Sequence, residues 1–443
     1  LSVLTTCRGR ANYAQIPTFF VRITKYGRCG TILAVNSLRT AAVCLAVCPA
    51  KDRHKRPEGR TACMKRWIFG LCALLCTTSL VGCGSTALPD PTPAAVDSPV
   101  AGKKVAYIMQ MAPSDIFQMW SQSAQETAEG LGMKYDAFFC GGSDAQWQDT
   151  ISQCAAAGYD GLLLSHGGQN YAYTFLKDLL EQYPDLKIAT FDTQFKDSSG
   201  QTRTLDGVTQ FFQQDAQFAQ LLLEYVCEEL YPDKVAAGEP VNILKVWVGP
   251  NFLSPFDRRQ EGYTAYEEAG LIRTVETIGP SDFSNAEASM ADITTATLAK
   301  YQPGEIDAIW CCYDLYASGV YTALTQGGYD IPMVSVDICN ADIEKMAREG
   351  SPWKACATTN WNYNGEFGMR VLALELSGDY DAIIDPMTGE TASWLELPTT
   401  VVTQDMVSGG GINVTNLDTV AGDSYTDRSW MPTTDWMAEL LGD

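Results

Sequence analysis

Residues whose side chains suit ligand chemistry recur along the chain in short polar and aromatic segments, each of which follows an apolar run. Asp192 and Asp337 directly end two such runs, and Ser165-His166 ends another. Asp, Asn and Arg side chains make paired, charge-assisted hydrogen bonds to vicinal hydroxyls, and aromatic rings cover apolar C–H faces. The pattern therefore predicts a binding site for a small polyol. The candidate residues are Asp115, Phe117, Ser165, His166, Asp192, Arg259, Phe283, Tyr313, Asp314, Asp337 and Asn360.

Signatures of catalysis and of cofactor binding are largely missing from the sequence. His166 is the one histidine after position 83, so a Ser-His-Asp triad has a single candidate base, and there is no Gly-x-Ser-x-Gly segment. The chain has no Walker loop, no Gly-x-Gly-x-x-Gly segment that opens a helix and no His-Glu-x-x-His motif. Ser351 and Lys354 match a Ser-x-x-Lys spacing, but its companion Ser-Asp-Asn and Lys-Thr-Gly segments are absent. We expect no enzyme, no cofactor and no bound metal.

The elements that must position these residues alternate between strand and helix from residue 103 onward. A helix near residues 115–130 places Phe117, Trp120 and Ala124 on one face. This alternation predicts parallel sheets that are covered on both faces, with the ligand site beyond the carboxyl ends of the strands. Strands are predicted at residues 104–110, 134–140, 161–165, 187–192, 241–248, 274–278, 308–312, 333–337 and 354–359.

The alternation repeats after Asp215, which predicts two α/β domains in succession. The helix predicted at 364–377 and the segment 398–404 come after the last strand of the second domain. We therefore expect the chain to cross back and finish the first domain. The predicted domains are 103–214 together with 361–443, and 215–360.

Five segments appear in an order that is typical of a known family. They are Val105–Phe117, Gly158–Ser165, Ile188–Asp192, Arg259–Tyr263 and Val334–Asp337. They are similar, in turn, to the family's first strand and aromatic loop, its Gly-x-Asp-x-Ile-Ile strand, its Pro-Val-Ile-x-x-Asp strand, its Arg-x-x-Gly-Phe helix start and its Val-x-Gly-Phe-Asp strand. From about residue 103 to 404 the chain resembles a type I periplasmic binding protein of the ribose and galactose class. That resemblance implies two doubly wound domains joined by three hinge crossovers.

The resemblance also implies roles for the candidate residues. Asp192, Arg259 and Asp337 would bind hydroxyl or ring oxygens. Phe117 and Phe283 would stack on the sugar, and Asn360 would make a polar contact at a hinge. Thr193 stands where the family often has arginine, and Tyr313-Asp314 stands where it often has Asn-Asp. These departures point away from ribose itself and keep the sugar class.

Charge divides the sequence into two unlike parts. Residues 1–83 contain 13 Lys and Arg against two Asp and Glu, whereas the remaining chain contains 18 basic and 51 acidic residues. A body with a net charge of -33 repels phosphates, and nucleic-acid binding begins with their neutralisation by a basic patch. We therefore expect no nucleic-acid partner. The apolar content of 46% excludes an intrinsically disordered chain.

Residues 64–83 have the features of a secretory signal peptide. Met64-Lys-Arg provides a basic start, and an apolar run of 15 residues extends from Trp67 to Val81. A comfortable membrane span needs about 20 residues. The ending Leu-Val-Gly-Cys83 resembles the lipobox of bacterial lipoproteins, which implies lipidation of Cys83 and anchoring to the cell membrane. An uncleaved signal anchor is the alternative.

The segments around this signal are interpreted from composition. Residues 1–63 begin at Leu1, are basic and contain five cysteines, and we interpret them as upstream sequence from a wrongly chosen start. Residues 84–102 are rich in proline and predict an extended tether. The seven cysteines after Cys83 lie mostly in apolar runs, where cysteine acts as a small hydrophobic residue. No disulfide framework is predicted, and a single disulfide among them is kept as an alternative.

The resemblance implies a lipid-anchored extracytoplasmic receptor that captures a monosaccharide-like ligand between two domains and delivers it to an ABC permease. An alternative keeps the fold and presents the ligand to a membrane histidine kinase, or binds a furanosyl autoinducer. A transcription regulator of the LacI type shares this body, but the export signal and the negative charge argue against it. An exported hydrolase is the enzyme alternative, and the sequence lacks a nucleophile-base pair for it.

Overall fold

The computed structural model describes residues 97–250 and 252–443. The predictions for residues 1–63, for the signal at 64–83 with Cys83, and for residues 84–96 of the tether lie outside the described residues. Residues 97–102 pack onto the folded body instead of extending away from it, because Val100 is fully buried and Ser98 Oγ donates to the Leu131 carbonyl at 2.6 Å. In the part of the chain that the structure describes, no helix is long and apolar enough to cross a membrane.

The first sheet has six parallel strands, and apolar side chains bury both of its faces. In the first strand, Val105 and Tyr107 belong to one apolar cluster and Ala106 and Ile108 to another. Because successive side chains of a strand point to opposite faces, this division shows that both faces are covered. The spatial order is β11-β5-β4-β3-β1-β2. The strands are β1 Lys104–Met109, β2 Lys134–Phe139, β3 Gly161–Ser165, β4 Lys187–Phe191, β5 Val208–Gln213 and β11 Trp394–Leu397.

The second sheet repeats this arrangement in the next stretch of chain. Its spatial order is β12-β10-β9-β8-β6-β7, and all neighbours are parallel except β12, which runs antiparallel to β10. Every residue of β6, β8 and β9 is buried, as expected for central parallel strands. The strands are β6 Val241–Val246, β7 Ile272–Ile278, β8 Ala308–Cys311, β9 Met333–Val336, β10 Trp353–Thr358 and β12 Thr400–Thr403.

Helices follow most strands and cover the sheets. In the first domain they are α1 Asp115–Gly130, α2 Asp144–Ala156, α3 Ala172–Gln182 and α10 Trp361–Ser377; in the second they are α4 Asp215–Tyr225, α5 Pro232–Ala236, α6 Ser254–Glu268, α7 Ala286–Leu298, α8 Asp314–Gly327, α9 Asn340–Met346 and α11 Gln404–Val407. The carboxyl-terminal segment adds α12 Asp423–Thr426 and α13 Asp435–Leu441. A single π-helical turn at Val226–Leu230 extends α4, and short 3-10 turns occur at Phe283–Asn285, Tyr380–Ala382 and Leu417–Thr419.

Close helix packing explains the glycine of the Arg-x-x-Gly segment. Helix α6 packs against α4, and a Cβ atom at Gly262 would lie 2.0 Å from the Ala216 carbonyl oxygen. Helices α1 and α10 of the first domain meet in the same way, because a Cβ at Gly365 would lie 2.2 Å from the Trp120 carbonyl. Glycine is therefore needed where these helix backbones approach each other.

The chain crosses between the two sheets three times: from β5 to α4, from β10 to α10 and from β11 to β12. This confirms the predicted fold class of two doubly wound α/β domains. The structure differs from the predicted boundary, since β12 and α11 of segment 361–443 pack in the second domain. Strand β12 pairs with the edge of β10 that would otherwise be unpaired, which explains why the chain leaves the first sheet after β11. Beyond α11 the chain passes between the domains once more, without adding a strand, and returns to the first domain, where α13 packs on α1.

Candidate functional site

Three residues at the carboxyl ends of strands have a backbone conformation that side chains rarely adopt. His166, Asp192 and Asp337 follow β3, β4 and β9 and have φ angles of 61°, 49° and 69°. They are the only residues other than glycine with positive φ among those that the structure describes. Asp and His tolerate this region better than most residues, and such conformations concentrate at ligand sites. The backbone thus singles out three of the candidate residues.

A buried chain of ion pairs connects the two domains at this point. Arg258 Nη2 lies 2.9 Å from Asp192 Oδ1 and also bonds Asp215. Arg259 Nε lies 2.8 Å from Asp215 Oδ1, and its Nη2 lies 3.3 Å from Asp337 Oδ2. All five residues are at most 8% exposed. Buried charges persist only when they are paired and hydrogen-bonded, which this arrangement achieves.

Each residue of these ion pairs lies at the end of a strand or near the start of a helix. Asp192 belongs to the first domain, and its Oδ2 accepts a hydrogen bond from Gln213 Nε2 at 2.9 Å. Arg258 and Arg259 lie in the second turn of α6, and Arg259 Nη1 also donates to the Cys312 carbonyl at 2.6 Å. Asp215 begins α4, the first element after a crossover. The site therefore lies where the strand ends of both sheets meet.

Burial controls the protonation of the site. It raises the pKa of Asp215 and of Asp337 to about 6, against the opposing charges of the arginines. Burial by itself would lower the pKa of Arg259, but Asp337 and Asp215 outweigh it and the pKa is raised. Burial lowers the pKa of His166 to about 3, and the positive charge of Arg259 acts in the same direction. At pH 7 Arg259 is charged and the imidazole of His166 is neutral.

Aromatic rings form the wall of the first domain beside this network. The ring of Phe117 meets His166 at a centroid distance of 5.6 Å and Trp361 at 5.9 Å, both edge to face. Phe191 contacts the same two rings at 5.6 Å and 6.1 Å. In the second domain, the ring of Tyr313 lies 5.9 Å from that of Phe256. Such rings offer apolar faces next to charged groups, as polyol sites require.

Several buried polar atoms around the network have no hydrogen-bond partner among the described residues. They include acceptors, such as Asp337 Oδ1 and Gln213 Oε1, and donors, such as Arg258 Nε and Trp361 Nε1. An unsatisfied buried polar group costs about 1–3 kcal/mol, and native proteins contain few of them. Donors and acceptors are mixed here, which matches a ligand whose groups both donate and accept.

Three further candidate residues, Asp115, Ser165 and Phe283, make contacts outside the chain of ion pairs. Asp115 Oδ2 accepts the backbone N–H of Asn340 at 3.0 Å, which joins the two domains. The Ser165 hydroxyl hydrogen-bonds His166 Nδ1. Phe283 is 52% exposed and stacks on Phe252 with 4.9 Å between ring centroids.

Asn360 caps helix α10 at a crossover. Its Oδ1 accepts the N–H of Tyr363 at 3.3 Å, and its Nδ2 donates to the Tyr425 carbonyl at 3.0 Å. Both polar ends of the side chain therefore hold the hinge. Its ligand contact remains a prediction, as do the ligand roles of the other candidate residues.

Asp314 belongs to a separate group that has ligand types suited to a metal. One side-chain atom each of Asp314, Cys339 and Asp342 lies within 4.8 Å of the others. Asp342 Oδ2 accepts the N–H of Cys339 at 2.9 Å, as in a helix cap, and burial raises the pKa of Asp314 well above its usual value, with Asp342 acting in the same direction. Two helix amino termini, which favour anions over cations, meet at this group. Capping of α9 by Cys339 and Asp342, with Asp314 in the first turn of α8, accounts for the arrangement.

Four residues of the cluster are absent from the predicted set. Asp215 lies two residues after the end of β5 and opens α4, so the strand-end rule finds it once that strand is recognised. Gln213 is the last residue of β5, and Trp361 opens α10. Arg258 is adjacent to Arg259, and neighbouring helix residues point about 100° apart, so nothing in the sequence indicates that both face the site.

Comparison with known proteins agrees with this geometry. The family model described as "Periplasmic binding protein domain" matches residues 105–379, which is more than half of the chain. The chain therefore belongs to the periplasmic binding protein family, and the predicted type I class is confirmed by its two-sheet fold. No curated protein sequence matches it.

Several solved structures have the same fold. A sugar ABC transporter from Yersinia enterocolitica subsp. enterocolitica 8081 is 26% identical, covers 79% of this chain and 98% of its own, and has a TM-score of 0.62. A 5-methylthioribose transporter solute binding protein from Thermotoga lettingae TMO is 20% identical, with coverages of 76% and 98% and a TM-score of 0.61. A periplasmic ribose ABC transporter from Conexibacter woesei DSM 14684 is 15% identical, with coverages of 75% and 99% and a TM-score of 0.58.

Proposed function

We propose that this chain is an extracytoplasmic solute-binding protein that captures one neutral sugar or polyol between its two domains and delivers it to an ABC importer. Family membership and the sugar-transport relatives support this class of function. The observation that carries the ligand class is the buried network, whose unpaired donors and acceptors are mixed in one interdomain site. Hydroxyl groups both donate and accept, so a polyol can satisfy such a mixture.

The charges of the network favour a neutral ligand over an anionic one. Arg258 already pairs with Asp192 and Asp215, and Arg259 pairs with Asp215 and Asp337. Neither guanidinium is left to neutralise a phosphate or carboxylate group. An anionic ligand would also face three carboxyl groups in a buried site, where like charges repel strongly.

The experiment is titration calorimetry of the protein against pentoses, hexoses and inositols, with hexuronates and sugar phosphates as charged counterparts. We expect saturable binding of a neutral compound, loss of that binding in Asp192→Asn and Arg259→Met, and no binding of its charged counterpart. Tighter binding of the charged counterpart would contradict the neutral-ligand argument. Absence of binding across the panel, or turnover of any compound, would overturn the proposed function.

Delivery and anchoring are proposed on the same basis. Lipidation of Cys83 would hold the receptor at the outer face of the cell membrane, close to a permease. Uptake of the bound sugar by cells that carry or lack the gene tests delivery. Normal uptake without the gene, together with a signalling defect, would favour the histidine kinase alternative.

A further inference from the structure

Arg258 belongs to the second domain but inserts its guanidinium group into the first. Its Nη2 lies 2.9 Å from Asp192 Oδ1, and the guanidinium carbon lies 4.4 Å from the ring centroid of Phe212. Asp192 follows β4 and Phe212 lies in β5, so both partners belong to the first domain. Arg258 is 8% exposed, so it forms these contacts out of water.

The second domain holds this side chain in the orientation that the first domain receives. Arg258 Nη1 donates to Ser254 Oγ at 2.5 Å, one turn earlier on α6, and Nη2 also bonds Asp215. A guanidinium group can make all of these contacts at once because its donors lie in a fixed plane. Arg258 therefore meets Asp192 with little loss of conformational freedom.

Other contacts between the domains are weaker or more exposed. Lys196 of the first domain lies 3.8 Å from Asp257 of the second, and their side chains are 23% and 21% exposed. Partly exposed ion pairs contribute little because water and salt screen them. The pair of Arg258 and Asp192 is buried on both sides, so its loss leaves a buried charge without its partner.

Asp192 is the point at which closure and ligand binding meet. Gln213 holds its Oδ2, Arg258 holds its Oδ1, and His166 Nε2 lies 4.0 Å from Oδ2. Each carboxylate oxygen can accept a second hydrogen bond, so Asp192 keeps capacity for ligand hydroxyls. The contact with Arg258 fixes the orientation of the Asp192 carboxylate, and it forms only when the domains are closed.

We propose that Arg258 is a positioning residue of the ligand site and the latch of domain closure. It orients Asp192 for the ligand and stabilises the closed arrangement through contacts between protein groups alone. The apparent ligand affinity then depends on the population of the closed state, because only the closed fraction of the protein has the complete site. The part that concerns affinity rests on the proposed function, whereas the latch itself does not.

The test compares Arg258→Met, Arg258→Lys and the partner variant Asp192→Asn with the unmodified chain, and uses Lys196→Met as the control for an exposed interdomain pair. Small-angle X-ray scattering of the ligand-free proteins reports domain opening, and calorimetry reports affinity for the pentose, hexose or inositol that the unmodified chain binds. We expect Arg258→Met to increase the radius of gyration and to weaken binding by about 10-fold or more, as loss of a buried charge partner predicts. Arg258→Lys should recover part of both effects, and Lys196→Met should change neither.

Two results would overturn the proposal. One is an unchanged radius of gyration and affinity in Arg258→Met. The other is a parallel loss of melting temperature and binding in Arg258→Met that Arg258→Lys does not recover, because that pattern belongs to a merely structural arginine. If the unmodified chain binds no sugar, the proposed function fails, and the scattering comparison still decides the latch.

Discussion

Replacement of Asp337 by asparagine should stabilise the folded protein and weaken ligand binding. Burial raises the pKa of Asp337 from 3.8 to about 6 in the folded state, so the folded chain holds this proton more tightly than the unfolded chain does. A shift of about two pKa units corresponds to about 3 kcal/mol. Asparagine has no such charge to bury, and its amide oxygen can still accept a hydrogen bond from Arg259.

The sign of the pH dependence follows from proton linkage. Between pH 3.8 and about 6 the folded state binds more protons at Asp337 than the unfolded state, so stability decreases as pH rises through this window. The loss of stability from burying the charged Asp337 is absent below pH 3.8 and complete above about pH 7. Relative to the unmodified chain, Asp337→Asn should therefore gain about 1–3 kcal/mol at pH 7.5 and close to nothing at pH 4.

Urea denaturation at pH 4.0, 5.5 and 7.5 measures this difference, and calorimetry with the bound sugar measures the loss of affinity. Asp330→Asn is the matched control, because Asp330 is exposed and the same charge is removed. Substitutions of this kind on the surface usually change stability by less than about 0.5 kcal/mol. If Asp337→Asn were instead less stable than the unmodified chain, and more so at pH 7.5 than at pH 4.0, the ion pair with Arg259 would outweigh the cost of burial at Asp337.

Three further predictions concern the fold and the anchor. Arg370 is fully buried and bonds the Asp443 carboxylate at 2.7 and 2.8 Å, so Arg370→Met should reduce the free energy of unfolding by about 3 kcal/mol; an unchanged urea midpoint would contradict this. Gly262→Ala should reduce the free energy of unfolding by about 1–3 kcal/mol, because its Cβ would meet the Ala216 carbonyl. A melting temperature equal to that of the unmodified chain would show that α4 and α6 can separate freely. Cys83→Ala should abolish incorporation of labelled palmitate in a bacterial host and release the protein from membranes; labelling that persists would place the lipid elsewhere.

Strand positions were largely accessible from the sequence, because central parallel strands are continuous apolar runs. The predicted strand at 161–165 coincides with β3, and the other predicted strands differ from the observed ones by one or two residues at one end or at both. Strand β5, Val208–Gln213, was missed since its Thr and Gln residues interrupt the apolar pattern. The predicted segment 398–404 proved to hold one strand, β12, while β11 precedes Pro398 in the other sheet.

The site was accessible only in outline. The strand-end rule brought Ser165, His166, Asp192 and Asp337 into the candidate set, and the structure places all four in one cluster with Arg259. Strand-end position alone does not decide which way a side chain points. Two candidate residues illustrate this, since Phe283 stacks on an exposed neighbour and both ends of the Asn360 amide hold the hinge.

The sequence by itself determined the α/β class, the duplication of the α/β unit and the negative charge of the body. It also determined that residues at strand ends suit a polyol ligand, because all of these depend on local composition and on the period of apolar residues. Only the tertiary structure decided that Asp192 and Arg258, which are 66 residues apart, meet in a buried ion pair between domains. That contact depends on how the two sheets approach each other across three crossovers. The exclusion of water between the two sheets strengthens the attraction of this ion pair, and its hydrogen bonds offset the cost of desolvating the charges; no single segment of the chain can produce that environment.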